Sequence, residues 1–357
     1  MKILGIETSC DETAAAVVSD GQTIRSSVVA SQIEFHHPYG GVVPEIASRK
    51  HIEAISPVVQ RALEEAGLGL SEIDGIAVTQ GPGLVGALLV GFSFGRALAM
   101  ASQIPWIGIN HLEGHIHSLF LEANPPKYPF VALLASGGHT SIYHVTGPIH
   151  MERMGRTLDD AAGEAFDKVA KLLGLGYPGG KIIQDLAKCG NSEKISFPRT
   201  FLDSTDFDFS FSGLKSAVRR YVEGLGPEWE HHIPDIAAGF QEAACDVMSR
   251  KLVQAARVRR CPRVGVVGGV AANSRLRELI RKAAEREGVL VHIPSIKLCG
   301  DNAAMVAAAG FHYLKAGIRS GLEEDVFSKI PRSLLVTSVQ RTRRPCGTGP
   351  VHPATRP

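Results

Sequence analysis

Two stretches of this chain follow the same plan, and a repeated plan restricts the available folds more than any single motif does. Residues 2–6 read as a strand, 7–13 as a polar turn and 14–18 as a returning strand, with Asp20-Gly21 marking the next hairpin. Much later, residues 130–134 form an apolar run, Ala135-Ser136-Gly137-Gly138-His139-Thr140 a turn of small residues, and 141–145 an alternating return strand closed by Gly147-Pro148. Each hairpin opens its own half, which implies an internal duplication with a cleft between the halves. Two unrelated hairpins would give the same local pattern by accident.

The rest of the chain alternates apolar runs with amphipathic helices, the mark of an α/β protein. Helices are expected at 44–65 and 84–102 around a strand at 75–79, then at 160–173, 236–258, 274–287 and 302–314, with short strands at 263–267 and 289–293. At 357 residues the chain exceeds the size at which one core stops growing, so two domains are expected. The formal charge of +2 neither demands nor excludes a polyanionic partner. Six cysteines lie scattered without a C-x-x-C pair, which fits reduced thiols in a cytoplasmic protein. No basic leader precedes the first strand, and the longest apolar stretch, near 83–100, is interrupted by glycines, so no membrane association is expected.

His111 and His115 are four residues apart, the separation that stacks two imidazoles on one helix face and lets them grip one metal ion. Leu112 stands where the H-E-x-x-H zinc proteases carry their glutamate, and Glu113 projects away from the histidine face, so a protease site is not expected. Two surface histidines would give the same spacing. Asp301 begins the last helix; the local sequence favours an N-cap, and the alternative is a carboxylate ligand completing the histidine pair. The turn at Ser136-Gly137-Gly138 lets backbone N–H groups approach a phosphate closely. Gly268-Gly269-Val270-Ala271-Ala272-Asn273 lies between a strand and a helix, the order found in nucleotide sites, with Asn273 able to read an adenine or ribose edge. Asp11 and Glu12 sit in the first hairpin's turn, where they could hold a cation or orient water. Asp159, Asp160, Glu164 and Asp167 suit a helix start, with an Asp167–Lys171 surface pair possible. The arginines between Arg257 and Arg281 could track a nucleic-acid backbone, although such a run is more often a solvated helix face.

Several segments taken in order closely resemble the bacterial TsaD family of tRNA N6-adenosine threonylcarbamoyltransferases, once described as glycoproteases. They are residues 5–13 (GIETSCDET), 44–49 (PEIASR), 111–115 (HLEGH), 136–140 (SGGHT), 209–215 (FSFSGLK) and 301–305 (DNAAM). The likeness runs to about residue 330. It implies a duplicated actin-like, sugar-kinase-like (RNase H-like) fold of two domains. These would be 1–128 and 129–300, with 301–330 packing back on the first and 331–357 a flexible tail. It further implies transfer of the threonylcarbamoyl group from threonylcarbamoyl-AMP to N6 of adenosine 37 in tRNAs reading codons that begin with A. By position, His111, His115 and Asp301 resemble ligands of one divalent metal, iron(II) or zinc. Leu134, Ala135, Ser136, Gly137, Gly138, Asp167, Gly180 and Asn273 resemble the adenylate-binding positions. Asp11 or Glu12 is a candidate for orienting water or accepting a proton. The resemblance also implies a paralogous TsaB-like scaffold subunit and a small TsaE-like ATPase, with ATP and Mg2+ in the complex. Lys181 and Gln184 depart from the family's usual proline and aspartate, so that contact is not carried over. A metallopeptidase and a small-molecule kinase of the same fold are the alternative readings.

Overall fold

The computed structural model describes residues 1–200 and 206–329. The first hairpin forms as expected: β1 (Lys2–Glu7) pairs antiparallel with β2 (Glu12–Ser19). Almost every residue of both strands is buried, because helices cover both faces of the sheet, and strands covered on both faces read as continuous apolar runs. β3 (Thr23–Ser31) adds antiparallel to β2, while β4 (Gly75–Gly81) and β5 (Trp106–Asn110) add parallel on the other side, giving the order β3-β2-β1-β4-β5. The second sheet repeats this order and these directions. β6 (Phe130–Ala135) stands in for β1, β7 (Thr140–Gly147) and β8 (His150–Arg156) for the hairpin partners, and β9 (Arg263–Val267) and β10 (Leu290–His292) for the parallel pair. The duplication is therefore a property of whole sheets, not of two chance hairpins.

The helices begin and end close to the expected positions. After the short α1 (Ile33–His36) come α2 (Pro44–Ala66), with Pro44 in the first turn where its missing N–H costs nothing, and α3 (Val85–Ser102). The second half carries α5 (Ala162–Leu172), α8 (Ile233–Val258) and α9 (Ser274–Arg286) as anticipated. It also carries α6 (Gly179–Ala187) and α7 (Ser212–Leu225), which periodicity did not single out. The short α4 (His111–His117) follows β5 directly. The interrupting glycines of α3 have a packing role: a Cβ on Gly86, Gly91 or Gly95 would collide with Ser48, Thr8 or Val78, so their absence of side chain seats the helix on α2 and the sheet. By length and composition alone α3 could cross a membrane; here it packs against β4, β1 and α2.

α10 (Ala303–Lys315) follows the second sheet in sequence yet lies on the first, against β1, β4, β2 and β5. Gly5 makes this possible, since a Cβ there would strike Ala303 O and the Ala307 backbone, and a row of small residues, Ala303, Ala304, Ala307 and Ala308, is fully buried there. Beyond α10 the chain runs back along the same sheet: Ser320 N–H donates to Trp106 O at 3.0 Å and Phe327 N–H to Gln80 O at 3.2 Å, which brings Ser328 to the cleft. The expected tail at 331–357 lies outside the described residues.

Gly5→Ala should lower the unfolding free energy by about 1–3 kcal/mol, the usual cost of overpacking a core. Urea unfolding should show a lower midpoint with an unchanged slope. An unchanged midpoint would mean that α10 does not depend on this close approach.

Candidate metal centre and nucleotide cleft

The carboxyl ends of the central strands of both sheets point into one cleft of about 870 Å³, the place where open α/β sheets bind ligands and a size that suits a nucleotide. The first sheet supplies Asp11, Glu12 and His111 to its wall; the second supplies the Ser136–His139 turn, Asp167 and Asn273. Asp301 comes from the crossing between the two.

His111 and His115 lie on α4, which Asn110 caps by accepting the Leu112 N–H at 2.9 Å. Their rings sit 4.6 Å apart at 77°. Asp301 Oδ1 is 3.1 Å from His115 Nε2 and 3.6 Å from His111 Nε2, and the three donor atoms fall within 4.8 Å of one another. The surface-histidine alternative is thereby excluded: His115 is wholly buried and His111 5% exposed. The expected capping role of Asp301 is also overturned, because Asn302 caps α10 by accepting Met305 N–H at 3.0 Å and leaves the neighbouring carboxylate free to face the histidines. Both ring nitrogens of His115 lack a hydrogen-bond partner despite complete burial; even the 3.1 Å approach to Asp301 has no hydrogen-bond geometry. Buried nitrogens are rarely left so. The Nε2 atoms of two imidazoles and a carboxylate oxygen so close together fit a divalent cation.

Glu7, which the sequence reading assigned to a polar turn, is the residue it missed. Fully buried at the end of β1, Glu7 accepts the Thr79 hydroxyl at 2.7 Å, the Ser9 N–H, and the Nδ1 side of His111 at 3.0 Å. In metal sites an outer carboxylate of this kind orients a ligating histidine; here it leaves His111 Nε2 facing Asp301 Oδ1 at 3.6 Å. The surrounding carboxylates favour positive charge at this point. Burial alone would push His111 down, yet the carboxylates of Glu7 and Asp301 outweigh it and raise the imidazole to about 9. Burial likewise works against ionised Asp301, and His111 and His115 hold it well below the usual carboxylate range. His139 also lines the cleft beside this cluster; burial and the neighbouring histidines push it down to about 4, so it is a neutral imidazole at neutral pH.

Glu113, by contrast, receives the Tyr313 hydroxyl at 2.5 Å, so it is engaged with α10 and not with water at a metal. Glu113 therefore does not serve the His111–His115 cluster.

In the second lobe, the turn closes on itself through Ser136 N–H to His139 O at 2.8 Å. Its carbonyls at Ser136 and Gly137 accept N–H groups from Gly163 and Glu164 at the start of α5. A Cβ on Gly137, Gly138, Gly180 or Gly269 would meet nothing within 4 Å, so these backbones face open cleft. Leu134 and Ala135 lie wholly buried beneath the turn and support it from below. Asp167 lines the cleft with one oxygen already accepting Gly179 N–H at 2.8 Å; burial raises its carboxyl. Asn273 also reaches the cleft, but its Oδ1 caps α9 through Arg275 and Leu276 N–H and its Nδ2 donates to Gln241 at 2.8 Å. Gln184 accepts the Ser274 N–H at 2.7 Å, tying α6 to α9 at the cleft wall, and Lys181 pairs with Asp185. The arginine run is largely spent internally: Arg275 grips Glu242 and Glu278, and Arg277 donates to Ala271 and Pro294 carbonyls. Lys168, not Lys171, pairs with the acids at the start of α5.

Asp11 and Glu12 both face the cleft. Burial raises Asp11 and lifts Glu12 to about 7; Glu12 Oε1 accepts the Ser31 hydroxyl at 2.9 Å while Oε2 has no partner. A carboxyl titrating near neutrality can take up or release a proton during catalysis.

A sequence model of the family described as TsaD, tRNA N6-adenosine threonylcarbamoyltransferase, matches residues 23–308. The enzyme of that name from Desulforapulum autotrophicum is 58% identical over 329 residues, covering 92% of this chain and 99% of that protein. The one from Geobacter sp. strain M21 is 54% identical, covering 93% and 96%. Among solved structures, HypF from T. kodakarensis superposes with a TM-score of 0.63 at 15% identity, covering 89% of this chain and 48% of that one. The activator of 2-hydroxyisocaproyl-CoA dehydratase from Clostridium difficile does so at 0.51 and 14%, covering 89% and 97%. These two likenesses concern the fold alone, and they agree with the duplicated actin-like architecture.

Two measurements probe the site directly. Glu7→Gln should weaken binding of a divalent metal about 10–100-fold, the usual effect of losing an outer carboxylate, when affinity is measured by competition with a chelator; equal affinity would exclude the orienting role. For Glu12, a carboxyl raised from an ordinary value of 4.5 to about 7 makes the folded state bind more protons in that interval. Stability from this group is therefore greatest below about pH 4.5 and falls as pH rises to about 7. Glu12→Gln should remove that component from a stability-against-pH profile, and an identical profile would contradict the assignment.

Proposed function

The chain belongs to the TsaD family of tRNA N6-adenosine threonylcarbamoyltransferases, and on that premise we propose how its cleft carries out the transfer. The donor is threonylcarbamoyl-AMP and the acceptor N6 of adenosine 37 in tRNAs reading codons that begin with A. The observation that carries this reading is the opening of the His111–His115–Asp301 cluster into the same cleft as the bare glycine backbones of the second lobe.

The adenylate sits on the second lobe, its phosphate against the Gly137-Gly138 turn and its nucleoside toward Asp167, Gly180 and the Gly269–Asn273 segment. The adenine amine attacks the threonylcarbamoyl carbonyl carbon; the bond to the phosphate oxygen breaks and AMP departs with its electron pair, while N6 gives up a proton. The amine is a weak nucleophile because its lone pair is delocalised into the ring, so positioning between two rigid lobes supplies much of the rate. Glu12 is suited to accept the N6 proton and Asp11 to orient it or a bridging water. His111, His115 and Asp301 would hold a divalent metal, iron(II) by the preference of two histidines and one carboxylate with open positions, or zinc. Such an ion supplies Lewis-acid polarisation of a carbonyl or phosphoryl oxygen.

A paralogous TsaB-like subunit is proposed to dock on the α2–α3 face. Support comes from exposed apolar side chains there: Ile52 is 65% exposed, Val85 46%, Leu89 42% and Met100 55%. A small TsaE-like ATPase, with ATP and Mg2+, completes the proposed assembly. A cytoplasmic setting is consistent with the free thiols Cys10, Cys189, Cys245, Cys261 and Cys299.

The test is reconstitution with the partner subunits, threonine, bicarbonate, ATP, the adenylate-forming enzyme and unmodified tRNA. Mass spectrometry of digested tRNA should find N6-threonylcarbamoyladenosine. His111→Ala/His115→Ala should reduce its yield about a hundredfold or more, the scale of losing a principal charge stabiliser. Equal yields from both proteins would sink the metal-centred mechanism.

A further inference from the structure

The segment between β3 and α2 crosses the mouth of the cleft, with Ile33, Gly40, Gly41 and Val42 on the cleft wall. It is anchored from beneath. His36 is wholly buried, its Nδ1 accepts Val43 N–H at 3.2 Å, and its Nε2 faces Gln32 Oε1 at 3.3 Å. Above this anchor the segment presents Phe35, 47% exposed, and Tyr39, 60% exposed. Among the described residues no other Phe, Tyr or Trp ring is as open to solvent. Two large rings left exposed beside a cleft, on a loop whose backbone is tied down, offer flat faces to a partner.

Cations surround the rings. Lys50 Nζ lies 4.3 Å from the centre of the Phe35 ring and also pairs with Glu53 at 2.7 Å. Arg49 is exposed on the next position of α2. From the opposite lobe, exposed Lys171 brings its Nζ within 3.9 Å of where a Cβ on Gly40 would stand. Exposed aromatic faces interleaved with positive charge are what proteins use to bind unpaired RNA, whose bases stack and whose phosphates need neutralising. A protein-docking patch would instead be a continuous apolar surface without interleaved charge.

We propose that this rim is a stacking platform for the unpaired nucleotides beside the target adenosine, with Phe35 and Tyr39 receiving base faces and Arg49, Lys50 and Lys171 meeting phosphates. The proposal rests on the tRNA reading of the cleft. It assigns the rim a share of substrate recognition separate from the adenylate pocket: the platform holds the loop while the target base enters.

The full chain is titrated against a fluorescein-labelled anticodon stem-loop RNA containing adenosine 37, with AMP binding measured in parallel. Phe35→Ala/Tyr39→Ala should weaken RNA binding about tenfold or more and leave AMP binding unchanged, whereas Phe35→Trp/Tyr39→Trp, which keeps a stacking face, should stay within about threefold of the unaltered protein. Arg49→Ala/Lys171→Ala should flatten the slope of log Kd against log salt by about 1 to 1.5, as two phosphate contacts on a single strand require. Equal RNA affinity for the unaltered protein and the double alanine variant overturns the platform while leaving the tRNA reading intact. Failure of the unaltered protein and its complex to bind the stem-loop overturns that reading itself. Intact RNA affinity with lost association of the paralogous subunit assigns the rim to a protein and also overturns the platform.

Discussion

The close approach of α10 to β1 at Gly5 is the contact on which the active architecture depends. α10 follows the second sheet and lands on the first, and Asp301, two residues before it, is carried to the point where the two lobes meet. Without that landing the carboxylate would belong to a loop of the second lobe, and the histidines of α4 would face one another with no acid between them. Asn302 secures the arrangement by taking over the helix cap. Two adjacent residues of the same chemical kind thus divide the work, one satisfying the backbone and the other facing the cleft.

The duplicated sheets supply equivalent positions but different chemistry. At the end of β1 the turn carries acids, and its buried Glu7 steadies a histidine of α4, the helix that follows β5 two strands away. At the end of β6 the equivalent turn carries Ser136, Gly137 and Gly138 and offers bare backbone. One lobe presents two histidines and several acids to the cleft, the other presents bare glycine backbone. The two sets face one another across a single cleft, and their separation is set by two rigid sheets.

Much of this was legible in the sequence, because continuous burial of β1, β2 and β6 leaves apolar runs and the long helices keep their periodicity. β3 and β8 escaped notice for a physical reason: they are edge strands with exposed polar positions, such as Thr23, Arg25, His150 and Glu152, so their patterns are weak. Glu7 was hidden in a different way. A glutamate after an apolar strand reads as the start of a solvated turn, and only its contacts with Thr79 and His111, 72 and 104 residues away, account for its burial. The choice between Asp301 and Asn302 as cap could not be made locally, since both side chains are good caps and the difference lies in what surrounds them. Asn273 illustrates the reverse error: its position by the cleft was foreseen, but its amide is committed to Gln241 and to the α9 cap.

The remote origin of Asp301 has a consequence for the chain while it is being made. His111 and His115 emerge from the ribosome about 190 residues ahead of the carboxylate that completes their site, a delay on the order of 10–40 s at ordinary synthesis speed. Throughout that interval the first sheet also lacks α10, and its small-residue face around Gly5 has no cover. Closure of the first lobe and completion of the ligand set are therefore one late event, and a chain interrupted before α10 would lack both.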